Sequence, residues 1–383
     1  MFGVQTQTEV TEVILRSSNT EINLIDTTSN YLVSLALYTS IFQPLMRLSL
    51  VISDPNDIIK NMKMVGGEDI EVTMRKSSNE SFKTIKFRLN SMVNDNVRNS
   101  FDKKNTIILD CVSPEYLSGS FVISKRFSGK GSDIIDTILK NNIGSTKVYN
   151  GFVGKFAYNI QSNYKNSFDV ISYIAKNDNA YFYEDFDGFY YKRFTDLGTD
   201  TLNESFDFLV NQKDYQSQDA VKAYKIQHFN NEILLGKGSV NTNFINLDTT
   251  NYKINKSTKK SSEVTKELVI GNQPFFPHLE ERKSKVSNIY GRVENRLKRY
   301  QENMNLQSHI LDVKVNGNLS RRIGQKVYVN FRGHDNSLLD YDLYKGYWVI
   351  VAIKNDISPG NFDQDIQLAK INFEKVWLCF SKV

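Results

Sequence analysis

Short runs of alternating apolar and polar residues, separated by polar breaks, occupy much of the first part of the chain. Within Asp69–Met74 and Ile85–Leu89 every second residue is apolar, which is the period of a half-buried strand. The polar break Ser77–Glu80 lies between these runs, as a hairpin loop would. The candidate strands are Glu21–Ile25, Leu32–Tyr38, Leu45–Ile52, Asp69–Met74, Phe82–Leu89 and Thr106–Val112. Short strands at this spacing favour a small antiparallel barrel or sandwich.

The pattern changes between Ser118 and Tyr215, where apolar residues adopt the spacing of helices. Ser132 is predicted to cap a helix that Gly144 ends, and Ser167 is predicted to begin a second helix. The pair Asp187-Gly188 interrupts a run of aromatic residues and predicts a tight hairpin. This stretch is therefore expected to form an α+β unit. A further helical turn is expected earlier, at Asp54–Asp57, because Pro follows Asp there.

Strands are expected again from Ala220 to Ile245, followed by a polar segment, Asn251–Lys266, that is predicted to be a mobile loop. A helix is predicted over Leu279–Met304, with Val286, Tyr290, Val293 and Leu297 on one face. Such a helix is expected to pack within the subunit rather than in a coiled coil. The last predicted strands are Ile310–Val315, Lys326–Phe331, Tyr347–Ile353 and Ile366–Val376.

Composition indicates a folded protein of several domains. The chain has 383 residues, of which 40% are hydrophobic and 24% are charged, as in globular proteins. Its 48 basic and 43 acidic residues form a mixed surface rather than a nucleic-acid footprint. No apolar window approaches the roughly 18 residues of a membrane span, and the N-terminus lacks the pattern of a secretory signal. We expect no membrane insertion, and assembly in a cytoplasm.

Residues that commonly carry chemistry are present but scattered. The four histidines, His228, His278, His309 and His334, lack metal-ligand spacing, and each is expected on the surface or in a loop. The two cysteines, Cys111 and Cys379, lie far apart in apolar runs and are expected to be buried thiols. Gly129–Ser132 is better explained as a turn into a helix than as a phosphate loop.

Two clusters of charged residues could have a catalytic or binding role. Glu184, Asp185 and Asp187 could be paired carboxylates, yet Asp187-Gly188 is the expected hairpin turn and no calcium-loop pattern follows. The basic residues of the long predicted helix alternate with glutamates, so they are expected on a solvated face; they are Arg282, Lys283, Lys285, Arg292, Arg296, Lys298 and Arg299. We therefore predict no catalytic residue, no cofactor site and no metal site.

Three segments carry a resemblance to a known family. They are LMRLSLVISDPNDIIKNMKMVGGEDIEVTM at Leu45–Met74, the series FVISKRF, SDIIDTIL, NSFDVISYIA and AYFYEDFDGFYYKRF within Gly119–Arg193, and ILDVKVNGNLSRRIGQKVYVN at Ile310–Asn330. In chain order they resemble the hub family that includes the central baseplate hub of T-even-like phages, the late-control D proteins of simpler myophages and the hub portion of VgrG spikes. Together they cover about a third of the chain.

The resemblance implies a mainly β fold with two tube-type antiparallel β-barrel domains and inserted α+β domains. The implied division is 1–117 for the first barrel and 118–218 for an α+β insertion. The second barrel would be discontinuous, 219–245 with 306–383, around a loop and helix insertion at 246–305.

The implied function is that of a non-enzymatic structural hub in the baseplate of a phage tail. A homotrimeric ring with a central channel would adapt a threefold central spike to a sixfold tail tube. The implied partners are the spike, the tail tube or tube-initiator protein, other baseplate proteins and the tape measure protein, with DNA passing through without specific binding. Two alternatives remain at this point: a tail-associated cell-wall hydrolase, and a carbohydrate-binding or receptor-binding tail module suggested by the aromatic residues of Tyr181–Tyr191.

Overall fold

The computed structural model describes residues 9–17, 20–25, 31–53, 61–75, 82–95, 106–199, 201–209, 221–227, 240–248, 253–259, 266–271, 279–281, 295, 299, 302–303, 306, 309–332, 345–359 and 361–370. The first part of the chain contains seven strands, which are β1 (Glu9–Arg16), β2 (Glu21–Asn23), β3 (Leu32–Ser40), β4 (Arg47–Ser53), β5 (Asp69–Arg75), β6 (Lys83–Asp95) and β7 (Thr106–Val112). All six strands predicted in this part are present. The predicted helical turn Asp54–Asp57 lies outside the described residues.

The middle of the chain mixes helices and strands. Its elements are α1 (Pro114–Gly119), β8 (Val122–Lys130), α2 (Gly131–Thr137) with a π-helical turn (Ile138–Ile143), β9 (Tyr149–Gly151), β10 (Ala157–Asn166), α3 (Ser167–Asn177), β11 (Ala180–Asp185), β12 (Gly188–Arg193) and a 3-10 turn (Phe194–Asp196). This confirms the predicted α+β character of the stretch. We call it the inserted unit.

The last part returns to strands. They are β13 (Thr201–Leu209), β14 (Val221–Gln227), β15 (Val240–Asp248), β16 (Lys253–Lys259), β17 (Lys266–Gly271), β18 (Leu279–Glu281), β19 (Ile310–Asn316), β20 (Lys326–Arg332), β21 (Gly346–Ser358) and β22 (Asn361–Lys370). Residues after 370, which include the end of the predicted strand Ile366–Val376, lie outside the described part of the chain.

One large, mainly antiparallel sheet of thirteen strands joins the two ends of the chain. Its path runs β14-β19-β22-β21-β3-β4-β7-β6-β5-β1-β2, and β20 and β13 branch from β21. The join is β3, which pairs with β4 on one edge and with β21 on the other. Because β3 uses both edges, the described strands of the two β-rich halves form one open path rather than two separately closed barrels.

Three hydrophobic cores lie against these elements. The first half buries alternate residues of its strands, such as Leu35, Leu50 and Phe87. The second half has its own core around Trp348 and Val329. The third core lies in the inserted unit, and its central members are Ile135, Ile138, Ile171, Ile174 and Phe189. Burial of one strand face is the expected result of the period-two pattern.

The helix boundaries of the inserted unit follow local capping. The side chain of Asn166 accepts a hydrogen bond from the backbone N–H of Asp169 at 2.8 Å, so α3 begins at Ser167 as predicted. Gly144 ends the π-helical turn with a φ of 77°, which also confirms the prediction. The predicted cap Ser132 is wrong, because the helix already begins at Gly131 and Lys130 is its N-cap residue.

One prediction in the later half is wrong for the described residues, and another is wrong in part. The polar segment Asn251–Lys266 contains β16, which pairs with β15 in antiparallel register, because main-chain hydrogen bonds form a ladder whatever the polarity of the side chains. The predicted helix Leu279–Met304 is wrong at its start, where β18 pairs with β10, but Asn295, Arg299, Glu302 and Asn303 within that range are helical. The sequence pattern also missed β1, whose alternation is broken by a bulge between Val10 and Glu12.

Candidate functional site

A polar surface crosses the large sheet on the side opposite the two cores of the β-rich halves. Residues in register across β19, β22, β21, β3 and β4 form one row of it, and they are Lys314, Asp365, Lys354, Tyr38 and Arg47. A groove of about 810 Å³ runs along this surface, and it takes residues from both halves. We call this surface the polar face. Strand alternation explains it, because a sheet with one buried face leaves the other to polar side chains.

Positive and negative groups alternate on the polar face. Four cationic side chains and three carboxylates line the groove, namely Arg47, Lys225, Lys314 and Lys354 with Asp110, Asp312 and Asp365. The Lys354 ammonium lies 2.9 Å from an Asp356 oxygen and 3.8 Å from an Asp365 oxygen. The hydrogen bond to Asp356 is the main reason why the pKa of Lys354 is raised. Lys314 and Lys354 thus already have carboxylate neighbours, and the lining has four positive groups against three negative ones.

Asp363 joins three neighbouring strands beside this groove. One of its oxygens accepts from Lys222 at 2.5 Å and the other lies 3.3 Å from the Lys314 ammonium, so β22 is tied to β14 and β19. Burial raises the pKa of this carboxyl, but the bonds from Lys222, Asn361 and Lys314 outweigh it and the pKa is lowered. The outer strands of the polar face are therefore held by charge-assisted bonds as well as by the ladder.

The acidic cluster that the sequence offered as paired carboxylates consists of side chains already bound by other groups. Glu184 is buried and accepts hydrogen bonds from the Met46 backbone N–H at 3.0 Å and from the Ser113 hydroxyl at 3.1 Å, and it forms an ion pair with Lys147. Lys147 also contacts Glu115 at 2.7 Å. We call Glu184, Glu115 and Lys147 the buried triad. The triad lies within the inserted unit, and the bond from the Met46 N–H to Glu184 ties it to the first half.

The protonation equilibria of the buried triad follow from burial and charge. Burial raises the pKa of Glu184, and the attraction of Lys147 only partly opposes it. Burial also acts on Glu115, but Lys147 and the hydroxyls of Ser113 and Ser145 outweigh it, so the pKa of Glu115 is lowered. The single positive charge of Lys147 thus lies between two carboxyl groups.

The other two acidic residues contact both β-rich halves. Asp185 is buried and lies 3.7 Å from the Arg322 guanidinium of the second half. Asp187, in the hairpin turn, lies 3.5 Å from Arg322 and forms an ion pair with Lys83 of β6. The predicted hairpin is confirmed, with Gly188 at a φ of 136°. Its turn fastens the inserted unit to both halves.

The aromatic residues of this hairpin are packed into cores. Tyr181 and Tyr183 point into the core of the second half, whereas Phe182, Phe189 and Tyr191 belong to the core of the inserted unit. All six residues of β11 are buried. Successive side chains of β11 alternate between two cores, which explains why the hairpin is rich in aromatic residues. A carbohydrate-binding surface would instead need exposed rings.

The chain after β18 packs on the inserted unit with residues in helical conformation, which are Asn295, Arg299, Glu302, Asn303 and Leu306. Arg299 donates to the Ala175 carbonyl at 3.1 Å, and its guanidinium lies 4.6 Å from the ring centre of Tyr181. Arg299 was predicted on a solvated face, and this is wrong, because its guanidinium packs on the Tyr181 ring. Burial lowers the pKa of Arg299. Of the seven basic residues, the other six lie outside the described residues, as does the predicted apolar face.

Two further candidate residues of the sequence, Cys111 and His309, are among the described residues, and both are buried. Cys111 is buried, and burial raises the pKa of its thiol. His309 is buried in the loop before β19, so the expectation of a loop position holds but not that of a surface position. Within the described residues, no three His, Cys, Asp or Glu side chains are grouped to hold a metal ion. No described helix is long and apolar enough to cross a membrane.

Comparison with known proteins identifies the fold. No protein-family model matches the sequence, and no curated protein matches it either. Among solved structures, the tail protein from Neisseria meningitidis MC58 has a TM-score of 0.61 at 11% identity, over 94% of this chain and 96% of that chain. The 43 kDa tail protein of prophage MuSo2 from Shewanella oneidensis has a TM-score of 0.58 at 13% identity, over 94% and 98%.

A chain of the Francisella PdpA–VgrG complex in its half-lidded form extends the likeness to a larger protein. Its TM-score is 0.51 at 11% identity, and the match covers 97% of this chain and 59% of that chain. The chain therefore has the fold of phage tail and VgrG-type proteins along almost its whole length. The mainly antiparallel β class that the sequence resemblance implied is confirmed, but among the described strands neither of the two implied barrels is closed.

Proposed function

We propose that this chain is a structural hub subunit of a phage tail baseplate. The observation that carries the proposal is the match to two tail proteins over 94% of the chain and nearly all of theirs. A match of that extent includes both β-rich halves and the inserted unit. The proposed location is the virion tail, after assembly in the host cytoplasm.

The proposed assembly is a closed homotrimer with a central channel. Each copy contributes two β-rich halves, so three copies present six similar positions to a sixfold tail tube and three to a threefold spike. The path of the large sheet ends at β14 and at β2, and neighbouring copies would cover such edges. The partners would be the central spike, the tail tube or tube-initiator protein, other baseplate proteins and the tape measure protein.

We infer that the polar face is turned to the channel of this ring. It crosses the join between the halves, so a ring of three copies would present a polar wall. Two of its cations already lie near carboxylates, Lys354 near Asp356 and Lys314 near Asp363, and a phosphate would have to compete with these contacts. DNA would pass such a wall without specific binding.

We assign the chain no enzymatic activity. The buried triad and Asp185 use their carboxylates in contacts between parts of the chain, which supports a structural role for them. The division into 1–117, 118–218, 219–245 with 306–383, and 246–305 stays a prediction, and the presence of three separate cores supports it.

Imaging of the assembled tail, or of the chain bound to its spike, tests the proposal. We expect three copies around the axis, six similar β-rich positions at the tube side and the polar face in the channel wall. Mass measurement of the same complex gives an independent count of copies. Six copies around the axis, or a polar face on the outside of the ring, would refute the arrangement. Cell-wall turnover that is lost on Glu184→Gln but retained in Lys140→Met would refute the non-enzymatic role.

A further inference from the structure

The inserted unit has an exposed edge strand with an unusual distribution of charge. β8 is the last strand of the three-stranded sheet β18-β10-β8, so one of its edges has no strand partner among the described residues. It is nine residues long and mostly exposed. Its sequence, VISKRFSGK, contains Lys125, Arg126 and Lys130 and no acidic residue. An edge of this length offers a row of backbone donors and acceptors for another strand.

Exposed apolar side chains lie at one end of β8. Phe121 and Val122 are 73% and 61% exposed. Tyr164 is 77% exposed and lies in the irregular stretch of β10 between the residues paired with Ile123 and Lys125. Its φ of 55° marks a constrained backbone position. Charged residues alone are enough to keep an edge strand from pairing with other chains, and exposed apolar side chains beside it are not needed for that purpose.

The charge of β8 decides which kind of strand fits this edge. A second copy that paired through the same edge would place one basic strand against another, and like charges in direct opposition destabilise a pair. An acidic strand would be attracted by the same residues.

We propose that β8 binds an extended acidic segment of a partner protein by strand addition. Main-chain hydrogen bonds along β8 would give affinity, Phe121, Val122 and Tyr164 would anchor apolar side chains at one end, and Lys125 and Arg126 would select acidic ones. This inference goes beyond the proposed hub function. The β8 edge shares no residue with the groove of the polar face, so either proposal can fail alone.

The probe is a labelled synthetic peptide of the repeat Val-Val-Glu-Glu, about eight residues long, which spans β8 and places Glu on both faces of the added strand, because Lys125 and Arg126 lie on opposite faces. Its binding to the full chain is followed by fluorescence anisotropy, beside a Val and Lys peptide of the same length. We expect binding of the acidic peptide only. The double variant Lys125→Glu, Arg126→Glu should weaken it about tenfold or more, and Phe121→Ser should weaken it without changing its salt dependence.

Two controls separate strand addition from other kinds of binding. The matched variant Lys140→Glu changes an exposed lysine of the same unit outside β8 and should leave the affinity unchanged, while circular dichroism checks that every variant folds. Hydrogen exchange should show new protection of the amides of residues 122–130 when the acidic peptide is present.

Several results would overturn the inference. Equal binding of the two peptides would do so, as would binding without protection of β8. Association of the chain with itself through this edge would assign the edge to a second copy. Tighter binding of a single-stranded oligonucleotide, lost in the same double variant, would identify a polyanion site instead.

Discussion

Removing the ammonium of Lys147 tests how much the buried triad stabilises the inserted unit, whose Glu184 contacts the Met46 backbone of the first half. The variant Lys147→Met keeps an unbranched side chain of similar length but leaves Glu115 and Glu184 without their shared cation. The Lys147 side chain is 24% exposed, and those of the two glutamates are 8% and 0% exposed. Breaking a buried pair by removing one partner costs about 3–5 kcal/mol. We expect a loss of this size in the free energy of unfolding at pH 7.5.

The loss should depend on pH with a definite sign. Without the ammonium, the folded-state pKa of both carboxyls rises above the ordinary value, because burial and mutual repulsion favour their protonated forms. A carboxyl with a raised folded pKa destabilises the fold progressively as the pH rises through that pKa. The difference between variant and parent should therefore be largest near neutral pH and should shrink as the solution is acidified towards the ordinary pKa of glutamate.

Urea unfolding at pH 7.5 and pH 5, with hydrogen exchange of β11 amides as a local reporter, measures this loss. The matched control is Lys140→Met, which removes an exposed ion pair with Asp136 on the same unit and should cost about 0.3–0.5 kcal/mol. Adding Glu184→Gln to Lys147→Met should restore part of the stability at pH 7.5. A loss below about 1 kcal/mol, or one that grows on acidification, would refute the reasoning.

Three further variants test the packing, the hairpin and the charged tie beside the polar face. Leu35→Ala, at a fully buried position of β3, should cost about 2–5 kcal/mol in urea unfolding, whereas Val33→Ala, 47% exposed on the same strand, should change stability by about 0.5 kcal/mol or less. Gly188→Ala should lower the melting temperature more than Gly144→Ala, because its new Cβ would lie 2.2 Å from the Val148 carbonyl oxygen, whereas that of Gly144 meets open space; equal shifts would contradict the close approach of Val148 to the turn. Asp363→Asn should destabilise the chain at pH 7 and converge with the parent near pH 3, since a lowered folded pKa contributes stability that is lost as the pH falls; a pH-independent difference would show that the carboxylate charge is not what stabilises this site.

The sequence by itself determined much of the local structure. Alternation within Asp69–Met74 and Thr106–Val112 located β5 and β7 almost to the residue. Asp187-Gly188 located the turn of the aromatic hairpin, and Gly144 the end of a helix. These features depend on neighbouring residues alone, since burial of one face sets the period and backbone conformation selects glycine.

Other features of the candidate site needed the tertiary structure. The sequence placed Glu184 beside a hairpin turn but gave no sign of Lys147 or of the Met46 backbone, which lie far away along the chain. Arg299 belonged to a charged segment that resembled a solvated helix, yet it packs on Tyr181. Both partners are chosen by the packing of separate elements, which leaves no periodic trace in the sequence.

The join between the two β-rich halves shows most clearly which features the sequence predicted and which needed the tertiary structure. Leu35 and Ile353 each lie in a strand that the sequence predicted, but the pairing of β3 with β21 connects parts of the chain separated by more than three hundred residues. Alternation states which face of a strand is buried, not which strand lies at its edge, because backbone donors and acceptors are the same in every strand. The sequence therefore determined the strands and their buried faces, whereas only the tertiary structure decided that they form one sheet with one polar face.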